Sequence, residues 1–211
     1  GGGPWPYMPE VKQQYVKTTE WLTTYFQSLP KTPTAIICIS AHWEENHFAV
    51  SAASDPGMIY DYGGFPEHTY QVQYPAKGHP ALAKQIFEQL NQASLPTRLD
   101  LNRGFDHGTF VPLSLMYPAA NIPVVSLSIH SSYDVQLHWQ LGQALQKFRS
   151  ENILIVGSGL SYHNMRGFGT NAGLQASVQF GNWLNEVVQD SNSNSDSNLK
   201  SNKYSNINSD Q

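Results

Sequence analysis

Polar and apolar positions along this chain alternate between two periods. Between Glu10 and Leu29, Val11, Tyr15, Thr18 and Leu22 fall at helical spacing, and Pro30 closes the stretch. Ala35 to Ser40 is a short, isoleucine-rich apolar run preceded by Pro33, the pattern of a buried strand. Phe48 to Ala53 predicts a second strand. Residues 54 to 80 are irregular, because Asp55-Pro56-Gly57, Gly63-Gly64-Phe65-Pro66 and Pro75 break regular elements. Pro80 to Leu90 predicts a helix with Leu82, Ile86 and Leu90 on one face. Gly104 to Gly108 reads as a loop and Val111 to Met116 as a short helix. Pro123 to Ile129 predicts a strand. Asp134 to Arg149 predicts a helix, with Leu137, Leu141 and Leu145 at successive i+4 positions. Ile153 to Val156 predicts a further buried strand ended by Gly157-Ser158-Gly159, and a last helix covers about Leu174 to Val188.

Strands that alternate with helices predict an α/β fold: a single domain whose largely parallel central sheet is flanked by helices on both faces. In such folds the site lies outside the carboxyl ends of the strands. After Gln189 the pattern stops. Asp190 to Gln211 is nearly all Ser, Asn, Asp and Lys and cannot bury enough apolar surface to order itself. The expected organisation is one domain over residues 1–189 and a disordered tail or linker over 190–211.

Composition narrows the function classes. The net charge is −4 and only 13% of residues are charged, so neither nucleic acid nor an acidic membrane is an expected partner. No apolar run reaches the roughly 20 residues that span a bilayer, and the start Gly1-Gly2-Gly3-Pro4 has no signal-peptide pattern. The one cysteine, Cys38, lies in the apolar run Ala35 to Ile39 and reads as a small core residue; a lone thiol fits a reducing cytoplasm. The first methionine is Met8, so a cut or processed amino end is expected at Gly1.

Candidate chemistry concentrates in histidines. Of the eight, His42 follows the strand Ile36 to Ser40, His163 follows the strand Ile153 to Val156, and His107 lies in the loop Arg103 to Gly108. Imidazoles at strand ends are raw material for a metal site or an acid–base pair. Other motifs fail. His42-Trp43-Glu44-Glu45-Asn46 is not H-E-x-x-H, Gly157-Ser158-Gly159-Leu160-Ser161 is not G-x-S-x-G, and there is no Walker A lysine. Those glycines read as a tight strand-to-loop turn.

Several segments together carry a family likeness. They are Ser40-Ala41-His42-Trp43, Ile59-Tyr60-Asp61-Tyr62-Gly63-Gly64-Phe65-Pro66 and Tyr70-Gln71-Val72-Gln73-Tyr74-Pro75-Ala76. Gly104-Phe105-Asp106-His107-Gly108-Thr109-Phe110-Val111-Pro112-Leu113, with Met116-Tyr117-Pro118 and Ile122-Pro123-Val124-Val125, continues the series. Gly157-Ser158-Gly159 with His163-Asn164-Met165-Arg166 ends it. In order and spacing the chain resembles the class III extradiol ring-cleaving dioxygenases of the DOPA 4,5-dioxygenase type, in the LigB superfamily.

The resemblance implies a non-haem metal, Fe(II) for ring cleavage with Zn(II) as the alternative, and a catechol and O2 as substrates. It implies His42 as a metal ligand. It implies His163 as a metal neighbour or acid–base residue, and His107 as a second substrate-side histidine that moves protons. Asp106 beside His107 either orients that imidazole or caps a turn. Trp5, Tyr7, Trp43, Tyr60, Tyr62 and Phe65 are available to stack on an aromatic ring or to anchor loops. The family places a ligand histidine just before the glycines that open this chain and a further ligand in a later carboxy-terminal segment. The 211 residues contain neither, so a chain truncated at both ends is expected. Two other readings compete: a relative that keeps the fold as a binding module without catalytic metal, and a zinc hydrolase built on the same histidines.

Overall fold

The structure is a computed structural model and describes residues 3–167 and 169–193. The chain divides into two compact units, Gly1–Gly159 and Leu160–Gln211.

The first unit is a five-stranded α/β sheet. Its strands are β1 (Ala35–Glu45), β2 (Phe48–Ser51), β3 (Thr97–Asp100), β4 (Val124–His130) and β5 (Ile153–Ser158), in the order β3-β2-β4-β1-β5. β1 lies between β4 and β5 and runs parallel to both; β3 runs parallel to β2, and only β2 against β4 is antiparallel. The largely parallel sheet expected from the alternation of elements is therefore present. β1 reads as an unbroken apolar run because both of its faces are covered. Ala35 and Ile37 face one apolar cluster, and Ile36 and Cys38 face the other.

The helices of this unit are α1 (Pro9–Lys12), α2 (Val16–Tyr25), α3 (Pro80–Gln92), α4 (His107–Met116) and α5 (Val135–Leu145). Leu82, Ile86 and Leu90 of α3 and Leu141 and Leu145 of α5 fill the first cluster. Phe110, Val111, Leu113 and Met116 of α4 fill the second, with Leu22 and Phe26 from the region of α2 packed against it. α4 lies between the sheet and α2, which is why it is apolar on nearly every side.

Four expectations change. The helix expected over Glu10–Leu29 is broken by 3-10 turns at Gln13–Tyr15 and Phe26–Ser28. β3 carried no apolar signal, since Thr97-Arg98-Leu99-Asp100 is a short, mostly polar edge strand. The loop expected over Gly104–Gly108 ends earlier, because His107 and Gly108 form the first turn of α4. β1 continues past Ser40 to Glu45, with a shift in its register against β4 between Ser40 and Glu44.

The antiparallel seam between β2 and β4 uses hydroxyls where backbone pairing is sparse. Ser126 N–H donates to Ser51 Oγ at 2.7 Å and Ala49 N–H to Ser128 Oγ at 2.8 Å. These bonds satisfy polar groups that are otherwise wholly buried.

The second unit contains a 3-10 turn at Met165–Gly167 and α6 (Asn171–Ser193). Tyr162, Phe180 and Trp183 form a ring series with centroids 6.1 and 5.3 Å apart. α6 runs four residues into the segment expected to be tail; the rest of that segment, 194–211, lies outside the described residues. Among the described residues no helix is long and apolar enough to cross a membrane.

Candidate active site

Three side chains from separate parts of the first unit converge at the carboxyl end of β1. Among the described residues, His42, Asp61 and His107 form a group whose ligand atoms all lie within 4.8 Å of one another. His42 stands in the irregular stretch of β1 between Ser40 and Glu44. A bulge of this kind bends a strand and re-aims its side chains, and such bulges gather beside active sites. His107 is the first residue of α4. Its ring centroid lies 3.9 Å from that of His42, with the planes tilted by 44°.

Asp61 arrives from the irregular segment 54–80. That segment is pinned next to the start of α4 by a short backbone ladder. Phe105 N–H donates to Gly57 O, and Ile59 N–H to Phe105 O, both at 2.8 Å. Tyr60 and Tyr62 then tie the loop onto itself through bonds from their hydroxyls to Val72 O and Thr69 O. Asp61 Oδ1 is thus placed to accept from His107 N–H at 2.9 Å and from His107 Nδ1 at 2.7 Å. The backbone donor is one of the unpaired N–H groups of the first helical turn.

Asp106 has the other role left open for it. Its Oδ1 accepts from Thr109 N–H at 3.0 Å as the N-cap of α4 and from Ser40 Oγ at 2.9 Å. Its Oδ2 pairs with Arg103 Nη2 at 3.0 Å, and the Arg103 guanidinium lies 4.6 Å from the Trp43 ring centroid. Ser40 Oγ in turn accepts the backbone N–H of His42 at 3.2 Å. Asp106 therefore fixes the end of β1 to the start of α4, while Asp61 orients His107. Of the two roles open to Asp106, capping is the one it fills, because its place directly before His107 sends its side chain back into the helix cap.

One glycine makes room for the arrangement, and one serine completes it. A Cβ on Gly108 would stand 2.3 Å from Ser40 Oγ and 3.2 Å from His42 Cδ2, so only glycine fits between helix and strand. Pro112 lacks the N–H that would bond to the carbonyl of Gly108 four residues back. The Ser158 hydroxyl at the end of β5 donates to that carbonyl instead. The serine of Gly157-Ser158-Gly159 thus has a structural use that its glycine neighbours did not suggest.

The electrostatics favour a neutral imidazole beside an ionised carboxylate. Burial, with the neighbouring His107 second, pushes the His42 pKa below the ordinary imidazole range. Burial alone would raise Asp61, but the bonds from the ring and backbone of His107 outweigh it and hold the carboxyl below its usual range. Cys38 lies beneath, and burial followed by the Asp106 charge pushes its thiol up to about 12, so it is an inert core thiol.

The donor set suits a divalent transition metal. Two imidazoles and a carboxylate, half-buried and close together, are the ligands of open non-haem iron sites, and imidazole also suits zinc. Neutral His42 has the protonation state a ligand needs. His163 lies in the second unit, in the turn ahead of α6, and its share in the site is taken up below. Asp61 was not singled out from the sequence. Its signal was present: it is the one acidic residue in Ile59-Tyr60-Asp61-Tyr62-Gly63-Gly64-Phe65-Pro66.

Comparison with known proteins identifies the family. The family described as the catalytic LigB subunit of aromatic ring-opening dioxygenase matches residues 6–210. The chain belongs to the LigB family. Within it, the chain is 39% identical over 177 residues to dioxygenase tasH of Hapsidospora irregularis, covering 79% of this chain and 53% of that protein. It is 45% identical over 138 residues to 4,5-DOPA dioxygenase extradiol of Beta vulgaris, covering 65% and 52% of the two. It is 45% identical over 140 residues to the Escherichia coli K12 protein of the same description, covering 66% and 51%. The crystal structure of an uncharacterized protein from Escherichia coli K12 superposes with a TM-score of 0.58 at 39% identity, covering 70% of this chain and 55% of that one. The likeness to class III extradiol dioxygenases of the DOPA type is thereby borne out. The chain spans about half the length of these relatives.

Proposed function

We propose that this chain carries part of the active site of a metal-dependent extradiol dioxygenase, which opens the ring of a DOPA-like catechol with O2. The observation that carries the reading is the convergence of His42, Asp61 and His107 in a member of the LigB family. His42 would hold the metal, with His163 as its second neighbour from this chain. Fe(II) there would supply the redox chemistry that joins O2 to a catechol.

The rest of the work falls to protein side chains. Asp61 Oδ1 already receives two hydrogen bonds from His107, an arrangement that suits the pair to proton transfer. A catechol must lose protons as it binds, and His107 stands beside His42 to take one. Asp61 then faces the resulting imidazolium and stabilises its charge. His163 is the second candidate for returning a proton to the opened product. The Tyr62 ring, 5.8 Å from that of His107 and edge-on to it, walls the site with apolar surface.

Oxygen consumption tests the proposal. The chain, and a version extended to the length of its relatives, would be loaded with Fe(II) without air and offered catechols including DOPA. The expected result is O2 uptake with a coloured ring-opened product, lost on His42→Ala and lowered roughly 100-fold or more on His107→Gln. Absence of uptake from the extended version would sink the dioxygenase reading.

A further inference from the structure

We propose that Asp61 is a positioning residue that fixes His107 in the tautomer with its proton on Nδ1, making Nε2 the nitrogen that receives the substrate proton. This rests on the proton-transfer role assigned to His107 above and specifies which atom performs it.

The geometry carries the assignment. His107 Nδ1 lies 2.7 Å from Asp61 Oδ1. An ionised carboxylate only accepts hydrogen bonds, so the hydrogen between the two belongs to Nδ1. In a neutral ring the lone pair then sits on Nε2. Asp61 is held ionised, because the bonds it accepts from His107 outweigh its burial.

The same Oδ1 also accepts the backbone N–H of His107 at 2.9 Å. The carboxylate is therefore clamped to the first turn of α4 and cannot follow the ring if the ring turns. The His107 side chain is 6% exposed and is boxed between the His42 ring at 3.9 Å and the Tyr62 ring at 5.8 Å. Flipping the imidazole would trade the Nδ1 bond for a carbon against the carboxylate and strand the ring nitrogen of a side chain that is itself buried. Asp61 is 46 residues away in sequence, so this is a tertiary device and not a local turn. Tyr60 and Tyr62, on either side of it, are anchored by their own hydroxyls, which keeps the loop from withdrawing the carboxylate.

The test is nitrogen NMR of the histidine-labelled full chain without metal or substrate, at about pH 8, where ordinary imidazoles are neutral. His107→Gln assigns the resonances. In the unaltered chain Nδ1 of His107 should resonate as a protonated nitrogen and Nε2 as a bare one. Asp61→Ala should move the ring toward the Nε2–H form. Asp61→Asn keeps an oxygen acceptor in the same place and should retain the Nδ1–H form. A neutral His107 protonated on Nε2 alone in the unaltered chain overturns the proposal. A tautomer unchanged in Asp61→Ala also overturns it. In an active extended chain, Asp61→Ala should lower kcat roughly 10–100-fold with KM little changed. The tautomer is read without metal, oxygen or catechol, so the positioning proposal stands or falls separately from the oxygen-uptake experiment.

Discussion

One carboxylate, Asp106, holds three groups that have no other reason to meet. It caps α4, accepts the Ser40 hydroxyl and pairs with Arg103, all while 1% exposed. Its removal would strip the cap and leave the Arg103 charge, 21% exposed, without its partner. Asp106→Ala should therefore lower the unfolding free energy by about 3 kcal/mol, read from urea denaturation. A loss near about 1 kcal/mol, the size of a cap alone, would mean that Arg103 simply turns to water. The two aspartates also show how far single residues are legible. His42 and His107 could be picked out because imidazoles beside strand ends and glycine loops are uncommon. The role of Asp61 could not, and that of Asp106 stayed between two alternatives, since which carboxylate reaches His107 depends on a loop 46 residues away.

At the scale of elements, the link between α4 and β5 runs through one carbonyl. Pro112 leaves Gly108 O without a helical donor, and Ser158 supplies one. Ser158→Ala should then cost about 1–3 kcal/mol, because it leaves a buried acceptor with only the weak Cys38 thiol donor at 4.0 Å. In a Pro112→Ala background the new N–H at position 112 can take that carbonyl, and the cost of Ser158→Ala should shrink. A double-mutant cycle on unfolding free energies reads this directly; equal costs in both backgrounds would refute the compensation. Elements were legible where burial writes a pattern. β1, β4, β5, α3 and α5 came from apolar runs or i+4 spacing. β3 stayed hidden because an edge strand needs few apolar residues. The start of α4 was misplaced because its glycine and histidine resemble a loop, although Asp106 caps a helix there and Gly108 lets it pack close to Ser40.

At the scale of the molecule, the first unit holds the whole sheet, both apolar clusters and the His42–Asp61–His107 group, while His163 belongs to the second. The parallel sheet and the strand-end position of the site were legible because helix–strand alternation constrains topology. The grouping of Asp61 with His42 and His107 was not, because it depends on which loops meet. This division makes the proposed share of His163 measurable. A metal that binds the folded chain raises its melting temperature by mass action, by about 2.7 kcal/mol of stability at a hundredfold excess over Kd. Zn(II) should stabilise the full chain, and His42→Ala should abolish the effect. His163→Ala, or a chain ended at Gly159, should retain a smaller stabilisation if His163 is a ligand beside His42. Undiminished stabilisation in both would remove His163 from the metal site and move the metal onto the Asp61–His107 pair. In that case Asp61→Ala, expected otherwise to leave metal binding largely intact, would abolish it.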